Sequence, residues 1–263
     1  MIVRVHPGGP DPLPTVPDLE RLTARSWRGL EEERFGDWLL RAGGGFTGRA
    51  NSVLVLGDPP VPVTAAVPAV AGWYAERGLP PQAQLPLPGA EAADAAFEAA
   101  GWTRGEDVLV LTAGIGEWAG PGVQVDLADA PDAGWLAGYR YRGTPLPAVA
   151  ADILTRADRP VFASVRPDPD PAPPAAVARG VLVEGWLCVT AVTVDDRYRR
   201  QGLATVVMAA LGAWARAGGG SSCVLQVAAS NAPALSLYER LGFTEHHRYH
   251  YRLGGTPRAR PVA

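Results

Sequence analysis

A seven-residue pattern occurs twice in the sequence, 141 positions apart. Residues 97–103 are Phe-Glu-Ala-Ala-Gly-Trp-Thr, and residues 238–244 are Tyr-Glu-Arg-Leu-Gly-Phe-Thr. The same spacing carries Trp73 onto Trp214, and each tryptophan lies in an alanine-rich stretch that runs into glycine, a residue that commonly ends helices. In both copies the pattern leads into a strand-like run. This agreement at one spacing predicts two copies of a single α+β unit.

A glycine-rich segment separates the two copies. Residues 113–122 are Ala-Gly-Ile-Gly-Glu-Trp-Ala-Gly-Pro-Gly, a composition typical of a break between structured units. The 263 residues are enough for two small domains. We therefore predict an N-terminal domain at 1–112, a linker at 113–122, a C-terminal domain at 123–254 and a frayed tail at 255–263.

Composition excludes several classes of protein. All 24 basic residues are arginine, which rules out lysine Schiff-base chemistry and the lysine of a P-loop. The net charge of −3 argues against a general nucleic-acid binder. Cys188 and Cys223 are too few for a zinc site or a disulfide framework, and we expect both to be buried on strands. The start of the chain lacks the apolar core of a signal peptide, and the longest uncharged helical stretch, 201–215, is too short to span a membrane, so we predict a cytoplasmic protein.

The segment 192–205 joins a β-branched strand to a helix through an arginine-rich loop. The first turn of a helix presents unpaired N–H groups and the positive end of the helix dipole, which together suit a pyrophosphate. Gly202 has no Cβ and lets a ligand approach the backbone, and Ala204 keeps the same face open. Arg199 and Arg200 add positive charge. The segment therefore predicts a phosphate-binding loop.

Residues 199–204, Arg-Arg-Gln-Gly-Leu-Ala, resemble Arg/Gln-x-x-Gly-x-Gly/Ala, the coenzyme A pyrophosphate motif of the GNAT acetyltransferase superfamily. The order of strand, motif, long helix, strand, asparagine, helix, tyrosine and Gly-Phe is also similar, with Asn231 and Tyr238 in the expected places. The resemblance covers 123–252 well and 18–112 in outline. It implies an α+β (α/β) fold of two GNAT-like units in tandem, each a twisted, mostly antiparallel mixed sheet flanked by helices.

The resemblance also implies roles for individual residues. The end of the strand would pair through its backbone with the pantetheine arm of acetyl-CoA, and the loop and first helical turn would hold the pyrophosphate. These cofactor contacts fall on Val192, Thr193, Val194, Arg199, Arg200, Gln201, Gly202, Leu203, Ala204, Thr205, Asn231 and Tyr238. Tyr238 would lie beside the sulfur and, as the catalytic acid, protonate the leaving thiolate. A purely core role for Tyr238 stays open, because the first copy has Phe97 at this position.

The first copy lacks these features. At the 141-residue spacing the motif falls on 59–63, Pro-Pro-Val-Pro-Val, and proline has no N–H to offer a phosphate. We therefore predict that 18–112 is a degenerate GNAT-like half without acetyl-CoA, which packs against the second half and shapes its substrate cleft. The glycine-rich segment 43–48 reads as a hairpin tip. The candidates around this tip to line the cleft are Phe46, Arg49 and Asn51.

The general base is not evident from the sequence. Some GNAT branches place a glutamate five residues before the asparagine, but this chain has Gln226 there, and an amide cannot accept the proton. Glu184 adjoins a turn at Gly185 and is predicted to be exposed to solvent. Other members of the superfamily use a chain of water molecules instead of one basic residue.

Three histidines lie in the terminal strand, 245–252. Alternation places His246 and His250 on one face and His247 on the other. No acidic or cysteine partner accompanies them, so we predict no metal site. A proton relay, a contact to an anionic substrate and a half-exposed polar strand all stay open.

Together these features predict an N-acetyltransferase that moves an acetyl group from acetyl-CoA directly to an amine, with coenzyme A as product and the active site in the C-terminal half. The alternative is a non-catalytic acyl-CoA-binding or sensing protein, which the missing carboxylate at Gln226 favours. The expected partner is a small-molecule or peptide amine acceptor, with no nucleic acid and no membrane, and homodimerisation is left open.

Overall fold

The computed structural model describes residues 13–140, 143–166 and 173–255. Most of the predicted tail, 256–263, therefore lies outside the described residues. The helices in these ranges are α1 (Val16–Ser26), α2 (Val63–Glu76), α3 (Glu91–Ala99), α4 (Ala133–Gly138), α5 (Ala150–Thr155), α6 (Leu203–Ala217) and α7 (Ala232–Arg240). The strands are β1 (Glu31–Phe35), β2 (Trp38–Ala42), β3 (Val53–Leu54), β4 (Gln82–Leu87), β5 (Thr103–Gly114), β6 (Asp126–Ala128), β7 (Val161–Val165), β8 (Ala176–Val183), β9 (Trp186–Val194), β10 (Ser222–Ala228) and β11 (Thr244–Leu253).

All of these strands belong to one sheet. Its order is β1-β2-β3-β4-β11-β5-β10-β9-β8-β7-β6. Neighbouring strands are antiparallel except for the parallel pairs β3–β4 and β9–β10. This architecture confirms the predicted α+β (α/β) class, in which a mostly antiparallel mixed sheet is flanked by helices.

The two copies of the sequence pattern adopt the same local structure. α3 and α7 begin and end 141 residues apart. The glycine that follows each helix takes a positive φ, 79° in the first copy and 84° in the second. Phe97 packs on Trp102 with ring centroids 4.6 Å apart, and Tyr238 packs on Phe243 at 5.6 Å. The spacing seen in the sequence is therefore a structural repeat.

The last strand of each copy lies between two strands of the other copy. β4 and β5 run in the same direction, but β11 lies between them and pairs antiparallel with both. In the same way β5 separates β10 from β11. Each strand–helix–strand unit is thus completed by a strand from the other unit. The domain boundaries at 112, 122 and 254 stay a prediction, and this strand pairing runs across them.

Helices cover both faces of the sheet. α6 packs on β7, β8 and β9, and shares a core with Tyr238 and Phe243. On β8, Ala176 and Ala178 contribute to that core, whereas Val181 and Val183 pack with Leu19 and Leu22 of α1. Side chains alternate between the faces of a strand, so α1 lies on the face opposite α6.

The terminal strand β11 carries both buried and exposed side chains, which agrees with the half-exposed polar strand that the sequence leaves open. Its place between β4 and β5 makes it a central strand, and His247, Tyr249, His250 and Arg252 are all buried. His250 Nε2 lies 2.8 Å from Asp94 Oδ1 on α3, and Arg252 Nε donates to the same oxygen at 2.6 Å. Asp94 therefore joins a helix of the first copy to the last strand of the second.

We expect Asp94→Asn to lower the free energy of unfolding by about 1.5–3 kcal/mol, because Arg252 and His250 lose a charged acceptor. Burial alone would raise the pKa of Asp94, but the hydrogen bonds from Arg252 and His250 lower it overall. The stabilisation is therefore present above the ordinary aspartate pKa and is lost as the pH falls below it. Urea denaturation at neutral and acidic pH measures both effects.

Glu98→Gln is the matched control for this substitution. Glu98 lies on the same helix and its Oε1 is 3.2 Å from Arg252 Nη2, but its side chain is 69% exposed. An exposed ion pair contributes little, so we expect a loss below about 1 kcal/mol. Equal losses in the two variants would contradict the structural role given to Asp94.

Candidate active site

The parallel strands β9 and β10 pair over only part of their length. The last paired residues are Val189 and Leu225, although β9 runs to Val194 and β10 to Ala228. The strands therefore separate and leave a gap between them. A bulge accompanies the separation, because the register with β8 shifts and Ala191 has a φ of 58°.

Two peptide groups of β9 face this gap. The N–H of Asp195 donates to the carbonyl of Ala175, on the side of β8. Backbone N–H groups alternate sides along a strand, so those of Val192 and Val194 point away from β8 and toward β10. Thr193 faces β8 instead. Of the three backbone residues predicted to pair with a ligand, Val192 and Val194 therefore have the suitable orientation.

The predicted phosphate loop leads directly from β9 into α6. Arg200 and Gly202 have positive φ values of 64° and 78°. None of the described side chains caps the N-terminus of α6, so the first-turn amides of Leu203, Ala204 and Thr205 lack intrahelical partners. An uncapped helix start that follows a glycine suits an anion.

Part of the positive charge of this loop is already paired. Arg199 lies 2.5 Å from Asp196, and Arg197 lies 2.9 Å from Asp195. Gln201 and Arg200 are exposed. The backbone amides, rather than Arg199, are therefore the main donors that the loop offers to an anion.

The segment before β6 packs along α6, a contact that the sequence did not indicate. The Nε1 of Trp118 donates to the carbonyl of Leu241 at 3.0 Å, and its ring stacks on Phe243. Pro121 lies at the start of α6, where a Cβ on Gly202 would come within 2.9 Å of the Pro121 Cδ. The glycine is thus required both by its positive φ and by this neighbour.

Asn231 and Tyr238 lie near the two ends of α7. Asn231 is the N-cap residue, and its Oδ1 accepts a hydrogen bond from Ala234 N at 3.3 Å. Tyr238 is 7% exposed and packs in the core beneath α6. Burial raises the pKa of Tyr238. The hydroxyl is therefore protonated at neutral pH, and its role as acid stays a prediction.

On the face opposite α6, a hydrogen-bonded group surrounds Gln226. The Oε1 of Gln226 accepts from Arg49 Nη1 at 3.1 Å and from the Tyr249 hydroxyl at 3.2 Å. Its Nε2 donates to Thr23 Oγ1 at 3.4 Å. Gln226 is the first residue of β10 beyond the paired stretch. Arg49 and Thr23 come from the first copy, so both halves build this face of the gap.

Of the three hairpin-tip residues predicted to line the cleft, Arg49 is the one that reaches the gap. Phe46 is buried against Trp27, with ring centroids 6.3 Å apart. The Oδ1 of Asn51 accepts from the backbone amides of Gly43 and Gly45, which holds the tip in place. Phe46 and Asn51 therefore shape the tip, and Arg49 presents a guanidinium group to Gln226.

The corresponding part of the first copy also has an uncapped helix start, but its prolines lack N–H groups and its parallel strands do not separate. Residues 59–62 precede α2, and α2 starts after Pro62 without a side-chain cap. β3 remains paired with β4 through Val53 and Leu54, and the N–H of Val55 donates to the carbonyl of Gln84. The absence of acetyl-CoA binding in this half stays a prediction.

The histidines of β11 form a buried chain of polar contacts. His246 Nε2 lies 2.8 Å from the Pro14 carbonyl, His246 Nδ1 lies 2.8 Å from His247 Nδ1, and His247 Nε2 lies 2.9 Å from Glu20 Oε1. A carbonyl only accepts, so His246 Nε2 is the donor to Pro14. None of these contacts involves Gln226, and a catalytic relay stays a prediction.

Other candidate groups have simple structural explanations. Cys188 and Cys223 are buried, and burial raises the pKa of both thiols, to about 12 for Cys188. Glu184 is exposed as predicted and pairs with Arg25. Across the described part of the chain, no group of three His, Cys, Asp or Glu side chains is placed to hold a metal ion. No helix in those same ranges is long and apolar enough to cross a membrane.

Comparison with known proteins gives consistent matches over most of the chain. The family model described as "Probable histone acetyltransferase Rv0428c C-terminal" matches residues 15–252. The protein named "Probable histone acetyltransferase Rv0428c" from Mycobacterium tuberculosis is 30% identical over 247 residues, which cover 89% of this chain and 72% of that protein.

Solved structures share the fold. A GCN5-related N-acetyltransferase from Kribbella flavida superposes with a TM-score of 0.61 at 18% identity, covering 92% of this chain and 97% of that one. A tandem GNAT protein from the clavulanic acid biosynthesis pathway gives a TM-score of 0.61 at 14% identity, covering 92% and 89%. At these identities the structures support the fold, and the second one is itself a tandem arrangement.

Proposed function

Because this chain belongs to the family of the Rv0428c C-terminal region, within the GNAT acetyltransferases, we propose that its C-terminal half transfers an acetyl group from acetyl-CoA directly to an amine. The observation that carries this proposal is the gap between β9 and β10, which opens beside the uncapped start of α6. The gap offers peptide groups to an extended amide-bearing chain, and the helix start offers amides to a pyrophosphate.

The residues of the site fit acetyl-CoA. Val192 and Val194 would pair with its pantetheine arm, and the amides of residues 200–205 would hold its pyrophosphate. Asn231 fixes the start of α7 and so positions Tyr238. Acetyl-CoA supplies the acetyl group as an activated thioester, and coenzyme A is the product.

Two groups of the chain would assist the transfer. The N–H of Val194 would polarise the thioester carbonyl, as a preorganised backbone donor stabilises charge that develops on oxygen. The Tyr238 hydroxyl would deliver a proton to the departing thiolate. Gln226 cannot accept the proton of the attacking amine, so that proton would leave through water on the face opposite α6.

A non-catalytic acyl-CoA-binding protein is the second candidate, and Gln226 favours it. The two functions share the cofactor site and differ only in turnover. Release of free thiol from acetyl-CoA in the presence of a panel of amines separates them, because a binding protein releases none above the rate of the buffer.

Acetyl-CoA binding tests the cofactor site directly. We expect calorimetry to give one molecule per chain, and a concentration of 100 times Kd should raise the free energy of unfolding by about 2.7 kcal/mol. Thr205→Asp should weaken binding at least about 30-fold, because a carboxylate in the first turn of α6 repels the pyrophosphate.

Thr205→Asn is the control, because it has the same shape without the charge. We expect the Kd of Thr205→Asn to stay within about threefold of that of the unmodified chain. Thr205→Asp should not lose affinity by unfolding, because an acidic residue at a helix start stabilises the helix. Equal affinities of Thr205→Asp and Thr205→Asn would contradict the placement of the pyrophosphate. Two molecules per chain would show that the first half is not degenerate, and no binding would reject the acetyltransferase proposal.

A further inference from the structure

Two arginine side chains lie against the ring of Trp27, on the face of the sheet opposite α6. The Cζ of Arg49 is 4.7 Å from the ring centroid and the Cζ of Arg179 is 5.2 Å from it. Trp27 itself is 1% exposed and donates from Nε1 to Thr47 Oγ1. Two positive charges therefore meet where little water reaches, and such charges interact more strongly than at an open surface.

Both arginines contact the residues at which β9 and β10 begin to separate. Thr190 and Gln226 are the first residues beyond the last paired positions. Arg179 Nη1 lies 3.4 Å from Thr190 Oγ1, and Arg49 Nη1 donates to Gln226 Oε1 at 3.1 Å. A molecule that approaches the gap from this face would therefore meet Arg49, which is partly exposed, with the buried Arg179 behind it.

Neither arginine has a carboxylate partner within 4.0 Å among the described residues. Arg179 is fully buried and donates to the carbonyls of Ser26 and Leu154. Its Nη2 is sealed from solvent and has no hydrogen-bond partner in the described part of the chain. Arginine is almost never fully buried without a paired anion. Burial, together with the charge of Arg49, lowers the pKa of Arg179 to about 9.

We propose that Arg49, reinforced by the buried positive charge of Arg179, binds an anionic group of the acceptor, so that the substrate is an amine that also carries a carboxylate or a phosphate. This inference rests on the proposed function, because it takes the gap as the place of acetyl transfer. A planar guanidinium matches the oxygens of either anion. The same positive charge favours the neutral, nucleophilic form of the amine, which reduces the need for a carboxylate base at Gln226.

Arg49 is the residue to substitute, because it is only partly buried, whereas Arg179 lies in the core and its loss would disturb folding. The full chain is titrated by calorimetry in the presence of coenzyme A, which cannot react. The probes are amino acids and dipeptides, each paired with its own carboxamide, and O-phosphoethanolamine paired with ethanolamine. The carboxylate and phosphate pairs distinguish the two anions.

We expect at least one anionic probe to bind about 10- to 100-fold more tightly than its neutral partner. Arg49→Gln should abolish this preference, and Arg49→Lys should keep part of it. Arg21→Gln is the control, because Arg21 is an exposed arginine of α1 that pairs with Asp18. It should leave the preference unchanged.

Equal affinity within every pair would overturn the proposal, and so would a preference that survives Arg49→Gln. Acetyl transfer to the same probes is scored separately, by release of free thiol. An anion preference without transfer would support the arginine site and reject the proposed enzyme. Transfer to neutral amines with no anion preference would support the enzyme and reject the arginine site.

Discussion

Replacing Tyr238 by phenylalanine should lower kcat by about 100- to 10,000-fold, the range that a positioned acid contributes. The substitution removes one hydroxyl from a ring that otherwise fills the same place in the core beneath α6. Affinity for acetyl-CoA should stay nearly unchanged, because the role proposed for the hydroxyl is proton transfer to the thiolate. Steady-state rates and calorimetry on the same preparation measure the two quantities.

The repeat explains why the variant should remain folded. The first copy already has phenylalanine at this position, where Phe97 packs on Trp102 as Tyr238 packs on Phe243. We therefore expect the free energy of unfolding to change by less than about 0.5 kcal/mol.

The pH dependence follows from the direction of the pKa shift. Burial raises the pKa of Tyr238 above its ordinary value of 10, so the hydroxyl keeps its proton throughout the range in which the enzyme is assayed. Ionisation of the acid should therefore cause no loss of kcat below pH 10. A fall in kcat between pH 8 and 10 that disappears in Tyr238→Phe would contradict this environment.

Tyr74→Phe is the contrasting control. The Tyr74 hydroxyl is buried and donates to the carbonyl of Arg41 at 3.0 Å. Its loss should lower the free energy of unfolding by about 1–3 kcal/mol and leave kcat unchanged, the reverse of the pattern expected at Tyr238. Full turnover in Tyr238→Phe would refute the acid role and make Tyr238 a core aromatic like its counterpart.

Features that depend on neighbouring residues were predictable from the sequence. The glycine at 202, the helix that follows it and the asparagine before α7 each act within a few residues of their own position, and the structure has them where the pattern indicated. The repeat was readable for the same reason, because α3 and α7 are each followed by a glycine and an aromatic residue, Gly101-Trp102 and Gly242-Phe243.

Features that depend on distant residues were not predictable. Alternation along 245–252 separated the faces of β11, but it could not show that β4 and β5 would enclose the strand and that His247, His250 and Arg252 would be buried. Arg179 escaped attention, although an arginine in the otherwise apolar run of β8 was a usable signal. The contact of Pro121 with Gly202 joins residues far apart in the chain, and no local pattern encodes it.

Neither half of the chain should fold alone. A fragment of residues 1–122 contains β4 and β5 but lacks β11, the strand that lies between them. Both strands would then have unpaired edges at the centre of the sheet, and exposed edges lead to aggregation. A fragment of residues 123–263 would lack β5, which lies between β10 and β11, so these two strands would also have unpaired edges. We expect each fragment alone to lack a cooperative unfolding transition. The two fragments expressed together should form a complex that unfolds cooperatively.

A third fragment tests whether the missing strand is the cause. Residues 1–122 extended by a flexible linker and residues 244–253 should fold, because β11 would again pair with β4 and β5 and return His250 and Arg252 to Asp94. The matched control replaces both residues by alanine in the added strand, and should fold less well. Near-ultraviolet circular dichroism and urea denaturation report the tertiary packing. If residues 1–122 instead unfold cooperatively by themselves, β4 and β5 must pair directly, and the exchange of terminal strands would not be what joins the two halves.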